Sequence, residues 1–383
     1  MTILIFILIL VCLILAHEFG HFIVAKAFKI RVDEFGIFFP PRIAAFKWGE
    51  TEYSLNWLPF GGFVRIFGED GEAESAQKNP SSGAPLTAKD FSASTDTRSF
   101  AKKNRWIQAA VIVAGIVFNL VLAWLLLTAG YMYGIQTPVQ HEGVGVVQNA
   151  QTTIVSVLPG SPVDKAGLMS GDIVTSVITG TSQLESGADA EQIRDFIGAH
   201  QDETIGFTVD RSGETIQALA RPVDGLVEGK KVVGVELDDV GILKLPIHLA
   251  LVQGAVLGKN ITIQTAQGLV GFFSTIVRGQ ANFSQVSGPI GITSIGSDAV
   301  KAGFIETIVL TALISINLAI LNLLPIPGLD GGRLFFIIIE GITKRPISKK
   351  IAYGFTLVGF GLLILLMLVA SYHDVVRLVH PTI

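Results

Sequence analysis

The 383-residue chain is 50% hydrophobic and only 16% charged, and a mean hydropathy of +0.56 marks an integral membrane protein, not a water-soluble globule. With a net charge of -4 and no dense Lys/Arg stripe, it lacks the electrostatic footprint of a nucleic-acid binder. Its single cysteine, Cys12, excludes an intrachain disulfide and a Cys-based metal site.

The first apolar run, residues 3–16, has no basic residue ahead of it and no small-residue cleavage site behind it, so it reads as a span and not as a secretory leader. It continues past His17 to residue 25, and we assign 1–28 to the first transmembrane helix. Residues 29–106 form a loop of two characters. Aromatic and β-branched runs over 34–67, broken by Pro40-Pro41, Trp48-Gly49 and Gly61-Gly62, predict membrane-associated β-hairpins, whereas 69–104, rich in Ser, Ala, Gly, Asp and Lys, predict a flexible segment.

A second span follows at 107–135. Residues 144–240 read as a small α/β domain with strands near 152–157, 172–177 and 204–210 and a helix near 190–200. The run from Leu158 through Pro159, Gly160 and Ser161 to Gly171-Asp172 resembles a PDZ domain, with Ser161 capping a short helix that starts at Pro162. Such a domain is either a peptide binder acting by strand addition or a steric filter. Residues 246–300 are apolar but carry Gln253, Lys259, Asn260, Gln264 and Gln267, which predicts an interfacial amphipathic segment. Spans three and four are expected at 304–332 and 351–372, giving a mostly α membrane protein with four transmembrane helices.

Basic residues stay on the cytoplasmic side. Lys26, Lys29 and Arg31 follow span one, Lys102, Lys103 and Arg105 precede span two, and Lys344, Arg345, Lys349 and Lys350 precede span four. All three clusters fall on one face, so both termini and the PDZ-like domain are expected outside.

His17-Glu18-Phe19-Gly20-His21 is an H-E-x-x-H motif inside the first span. On a helix the two histidines lie about 40° apart around the axis and roughly 6 Å apart along it, so both imidazoles reach one zinc. Glu18 shares that face and is placed to take a proton from a water the metal activates. Each ionisable group within a span costs about 2.5–3.5 kcal/mol on insertion, so three in five residues call for a compensating partner. Catalytic zinc takes three protein ligands, and Asp330, at the end of span three beside Pro325 and Pro327, is the candidate third. With four spans, His17, His21 and Asp330 fall at the same membrane face.

The H-E-x-x-H element, the PDZ-like insert and the Asn322-to-Gly332 run N-x-x-P-x-P-x-L-D-G-G together resemble the bacterial site-2 proteases of the RseP type. The resemblance implies Zn2+ held by His17, His21 and Asp330, Glu18 as general base, and Asn317 and Asn322 as groups that hold the substrate backbone. It also matches Gly115 to Asn119 to a G-x-x-x-N element, which we read as helix packing, and Ser287 to Ile292 to a Gly-Pro-rich outer segment. It implies a multi-pass bacterial inner-membrane enzyme whose active site faces the cytoplasm. Its substrates would be pre-trimmed single-pass membrane proteins, such as anti-sigma factors or remnant signal peptides, and membrane lipid its surroundings. A catalytically silent PDZ-bearing adaptor is the alternative, and Glu18 tells against it, because a scaffold has no use for a base beside two zinc-spaced histidines.

Overall fold

The computed structural model describes residues 2–69, 97–141, 143–184, 186–211, 213–227, 230–279, 288–345 and 347–379. Most of the segment expected to be flexible, together with Ser287 and His380, lies outside the described residues. The chain divides into two units, Met1–Ala129 with Gly254–Ile383, and Gly130–Gln253.

The first unit opens with α1 (Thr2–Ala27), an uninterrupted helix of Leu, Ile, Val and Phe until His17. Strands β1 (Val32–Trp48) and β2 (Thr51–Ile66) follow as one long hairpin that doubles back on itself. Residues 32–37 pair with 62–66 on one side, residues 34–37 meet 52–55 on the other, and 44–48 pair with 51–55. Among the described residues this leaves 62–66 as a free edge. The buried Glu34 carboxylate pins the register, accepting from Arg42 Nη2 at 2.9 Å, Ser54 Oγ at 2.6 Å and Arg65 Nη1 at 2.9 Å, as a desolvated charge requires. The outer part of the hairpin exposes Ile43, Phe46, Trp48 and Trp57.

Helix α2 (Arg105–Tyr133) comes next. The hairpin base packs on it through Ile30, Val32, Ile66, Phe100, Val111, Ile112 and Ile337, in one buried cluster that also takes in Ala25 of α1.

In the second unit β3 (Ile135–Pro138), β4 (Gln148–Val157), the one-turn α3 (Pro162–Lys165), β5 (Ile173–Ile178), β6 (Gln183–Leu184), α4 (Ala190–Ala199), β7 (Ile205–Arg211), β8 (Glu214–Ala220), β9 (Val223–Val227), β10 (Lys230–Val232) and β11 (Val235–Leu243) follow in order. The main sheet runs β3-β11-β4-β5-β7-β8, with β6 on β5. Alternating apolar residues such as Ile154, Val174, Phe207 and Val209 meet Ile193 and Ile197 of α4 in its core. Ser161 caps α3 by accepting from the Asp164 amide, and Asp189 and Gln192 form a capping box on α4.

Among the described residues of 246–300, which lie mostly in the first unit, there are two helices, α5 (Ile247–Val277) and α6 (Pro289–Ala302). Then come α7 (Phe304–Leu323), α8 (Asp330–Thr343) and α9 (Lys349–Val379). The N-terminus of α6 is capped from a distance: the buried Asp374 of α9 accepts from the Gly288 amide at 3.1 Å and the Gly291 amide at 2.8 Å. On its other side α6 meets α1, where Gly296 lies against Phe6. Among the described residues, four helices are long and apolar enough to cross a membrane, over Leu4–Ala27, Arg105–Tyr133, Phe304–Leu323 and Ala352–Val376.

The second unit rests on Asp172, whose buried carboxylate accepts from Arg211 Nε at 2.6 Å, Arg211 Nη2 at 2.7 Å and the Met169 amide at 2.8 Å. Asp172→Ala should cost about 2–3 kcal/mol by removing these charged hydrogen bonds. Limited proteolysis of the full chain should then cut within 130–253 at lower temperature than in the wild type, with Arg211→Lys showing a smaller loss.

Candidate metal centre

His17 and His21, four residues apart on α1, project toward α2 because α1 and α2 touch where Gly20 faces Ala114 and Gly115. A Cβ on Gly20 would sit 2.6 Å from the Ala114 carbonyl oxygen, and a Cβ on Gly115 would collide with His21 Nε2 and His17 Cε1. Gly115 therefore makes room for the imidazoles themselves. The packing expected of the G-x-x-x-N element is here packing against the two histidines.

Asp330 arrives from the other side. Helix α7 stops at Leu323, Pro325 and Pro327 prevent its continuation, and α8 starts at Asp330, where the helix N-terminus favours a carboxylate. The turn is tight: a Cβ on Gly331 would strike the Leu324 carbonyl and one on Gly332 the Ile326 carbonyl. Gly359 of α9 closes against Pro327 in the same way.

Three donor atoms converge. His17 Nε2 and His21 Nε2 lie 3.0 and 3.2 Å from Asp330 Oδ2 and 3.2 Å from each other, with both rings largely buried. The remaining ring nitrogens are held from outside the cluster. His21 Nδ1 donates to the Val111 carbonyl at 2.8 Å, which leaves its Nε2 as a lone pair. Asn119, fully buried on α2, sets its side-chain amide 3.2 Å from His17 Nδ1. Its backbone carbonyl accepts from Ser315 Oγ of α7 at 2.8 Å.

Glu18 lines a cavity of about 200 Å³ with His21 and Asp330; the walls are Phe63, Val64 and Ile66 of the free β2 edge, Val111 and Ile112 of α2, and Glu69 and Arg333. Arg333 pairs with Glu69 at 2.5 Å. Asn322 is buried near the end of α7, and Asn317 is exposed five residues earlier, about 140° around the helix. Neither lines this cavity. Asn119 is the contact that sequence reasoning undervalued. Its signal was the four-residue spacing from Gly115, which puts glycine and amide on one helical face.

The profile described as Peptidase family M50 matches residues 5–366. The chain belongs to this family. Among its relatives, the zinc metalloprotease RasP of Oceanobacillus iheyensis is 28% identical over 98% of this chain and 99% of its own length. The regulator of sigma-W protease RasP of Bacillus subtilis shows the same identity and coverage. This M50 protein is accordingly a multi-pass membrane zinc metalloendopeptidase of the site-2 protease type.

The cluster suits zinc. Ligands about 2.0–2.1 Å from a tetrahedral zinc stand about 3.3 Å apart, close to the separations above. Without a cation, two imidazole lone pairs and a carboxylate oxygen would face one another in a buried space, and Asp330 Oδ2 there has no hydrogen-bond donor. Asn119 Oδ1 is likewise buried without a partner. A half-turn of the amide presents this oxygen to His17 Nδ1–H, fixing the tautomer in which Nε2 is free for metal.

Asn119→Leu should therefore weaken zinc affinity in the M50 protease by about 10–100-fold, measured by competition with a chromogenic chelator, while Asn119→Asp, which retains an acceptor, should stay closer to wild type.

Proposed function

We propose that this M50 protease hydrolyses peptide bonds within transmembrane segments of single-pass membrane proteins already shortened by another protease, such as anti-sigma factors or remnant signal peptides. The observation that carries the reading is Glu18 beside the His17, His21 and Asp330 donors in a cavity walled by an unpaired strand edge.

In this reading His17, His21 and Asp330 hold the zinc. Bound zinc supplies a Lewis acid that polarises the scissile carbonyl and makes water acidic enough to attack near neutral pH. Glu18 takes the proton from the attacking water and delivers it to the leaving amine. Residues 62–66 offer backbone N–H and C=O groups to an unwound substrate, which in an apolar setting would otherwise lose several kcal/mol for each unpaired group. The family resemblance assigns Asn317 and Asn322 of α7 to holding the substrate backbone, from positions that do not line the cavity. The exposed aromatic residues of the hairpin lie against lipid, and Phe63, Val64, Ile66, Val111 and Ile112 form the apolar part of the cavity wall.

The basic clusters at Lys26, Lys102 and Lys344 support an inner-membrane topology with both termini outside and the catalytic cavity toward the cytoplasm. Residues 144–240 act as the extracytoplasmic PDZ domain. A groove of about 850 Å³ between α4 and the 231–237 segment of β10 and β11, lined by Arg194, Ile197, Val233 and Val235, supports a peptide-accepting role. The Bacillus subtilis relative, regulator of sigma-W protease RasP, supports membrane-bound regulators as substrates.

Glu18→Gln should abolish cleavage of a model transmembrane substrate while most of the zinc is retained, because the donors are intact. Asp330→Ala should lose both cleavage and metal. Full activity in Glu18→Gln, or wild-type zinc content in Asp330→Ala by atomic absorption, would overturn the assignment. Under single-turnover conditions a Gly or Asn near the cut site should speed cleavage over a Leu-rich version, since unwinding then costs less. Pro within 62–66, at positions whose N–H faces away from 32–37, should slow every substrate without removing zinc.

A further inference from the structure

Helix α5 has one charged side chain in 31 residues, Lys259, and it stands near the middle. Among the described residues Lys259 has no ion-pair partner. The helix packs along α2 and α7 through Leu257, Ile261 and Leu269, which lie on a buried cluster of Ala123, Leu127, Ala312, Ile316 and Ile320. The approach to α2 is close: a Cβ on Gly254 would stand 3.0 Å from the Thr128 amide nitrogen, and one on Gly258 3.6 Å from Leu127. A cation is thus fixed on the flank of a membrane span.

Beside it the small residues Gly254, Ala255 and Gly258 leave a cavity of about 330 Å³, walled opposite by Ala123, Trp124 and Ile316, with Lys259 at its margin. The one hydroxyl there, Thr262 Oγ, is spent on the Gly258 carbonyl at 2.7 Å. The remaining wall is apolar.

Depth follows from helix rise. Gly254 meets α2 five residues short of its end at Tyr133, and Lys259 lies five residues further on, so its Cα is about 15 Å from that end. Helix α2 has 29 residues and at about 43 Å overreaches a hydrocarbon core of about 30 Å by about 7 Å on each side. The Cα of Lys259 then lies about 8 Å inside the hydrocarbon, and its extended stem of about 6 Å carries the ammonium up to the headgroup level.

We infer that this groove is a binding site for one anionic phospholipid, whose phosphate pairs with Lys259 and whose acyl chain fills the space between α2 and α5. The charge favours an anion, and at that depth beside an apolar groove the anion that brings its own hydrocarbon is a lipid. A zwitterionic lipid satisfies the ammonium less well, since its headgroup carries its own cation.

The test is made on the full-length protein, purified in mild detergent from membranes containing phosphatidylglycerol and phosphatidylethanolamine, with retained lipid quantified by mass spectrometry. Wild type should retain phosphatidylglycerol enriched over its membrane fraction. Lys259→Gln should lower that retention about fivefold, the worth of one lysine at a charged lipid surface, and Lys259→Arg should preserve it. Ala255→Phe, which fills the cavity and keeps the charge, should also release the lipid, while zinc content in all three variants stays at the wild-type level. Equal phosphatidylglycerol retention in Lys259→Gln, or no selectivity over phosphatidylethanolamine in wild type, would overturn the proposal. So would a photo-crosslinker at Ile263 that captures a protein in place of phospholipid.

Discussion

Two imidazole lone pairs and a carboxylate oxygen held 3.0–3.2 Å apart form an arrangement that repels itself unless a cation sits among them. Much of the surrounding structure follows from keeping that convergence in place. The glycines at 20 and 115 bring α1 and α2 close enough for the rings to fit between them. The Val111 carbonyl and the Asn119 amide occupy the outward ring nitrogens, and the glycine pair after Asp330 lets α8 turn back against the end of α7. The donors are rigid because none is on a loop free to move by itself.

The other half of the site is built on the opposite plan. Where the metal-facing groups are satisfied and enclosed, the 62–66 edge keeps backbone groups unpaired beside them, and Glu34 with its two arginines and Ser54 locks the hairpin register without covering that edge. A sheet edge of this sort is an aggregation hazard in a soluble protein. Here it is fronted by a small cavity of about 200 Å³, and in the proposed function only a single extended segment would reach it.

What could be read from sequence had local signals. The histidine spacing declares itself within five residues, because charge in an apolar run is costly and therefore conspicuous. Asp330 was reachable by counting crossings, and the cap at Ser161 was expected from short-range chemistry. The hairpin was legible in kind, while its doubled-back register was not: it depends on a buried Glu34 meeting Arg42 and Arg65, and nothing in the composition of 34–67 ranks that pairing over a simple meander. Asn119 was read as a packing residue because its partner, His17, is about a hundred positions away. Asn317 and Asn322 come from resemblance alone, and helical periodicity separates their faces, a geometric cost that the motif does not display. The capping of α6 by Asp374 had no signal at all, since it joins two helices through backbone amides.

The spread of the donor set along the chain has a consequence for biosynthesis. His17 and His21 leave the ribosome early, whereas Asp330 emerges roughly 300 residues later, a delay of about 15–60 s at ordinary elongation rates. The last helix, whose Asp374 caps the α6 that packs on the first helix through Gly296, comes later still. During that interval the first span already rests in the membrane with its glutamate and histidines, yet it has only two of the three donors and no substrate-facing wall from α8. On the proposed zinc assignment, a nascent or prematurely terminated chain lacks the third donor and would be inert until Asp330 is in place, so neighbouring spans would be exposed to no hydrolase while they are still being inserted.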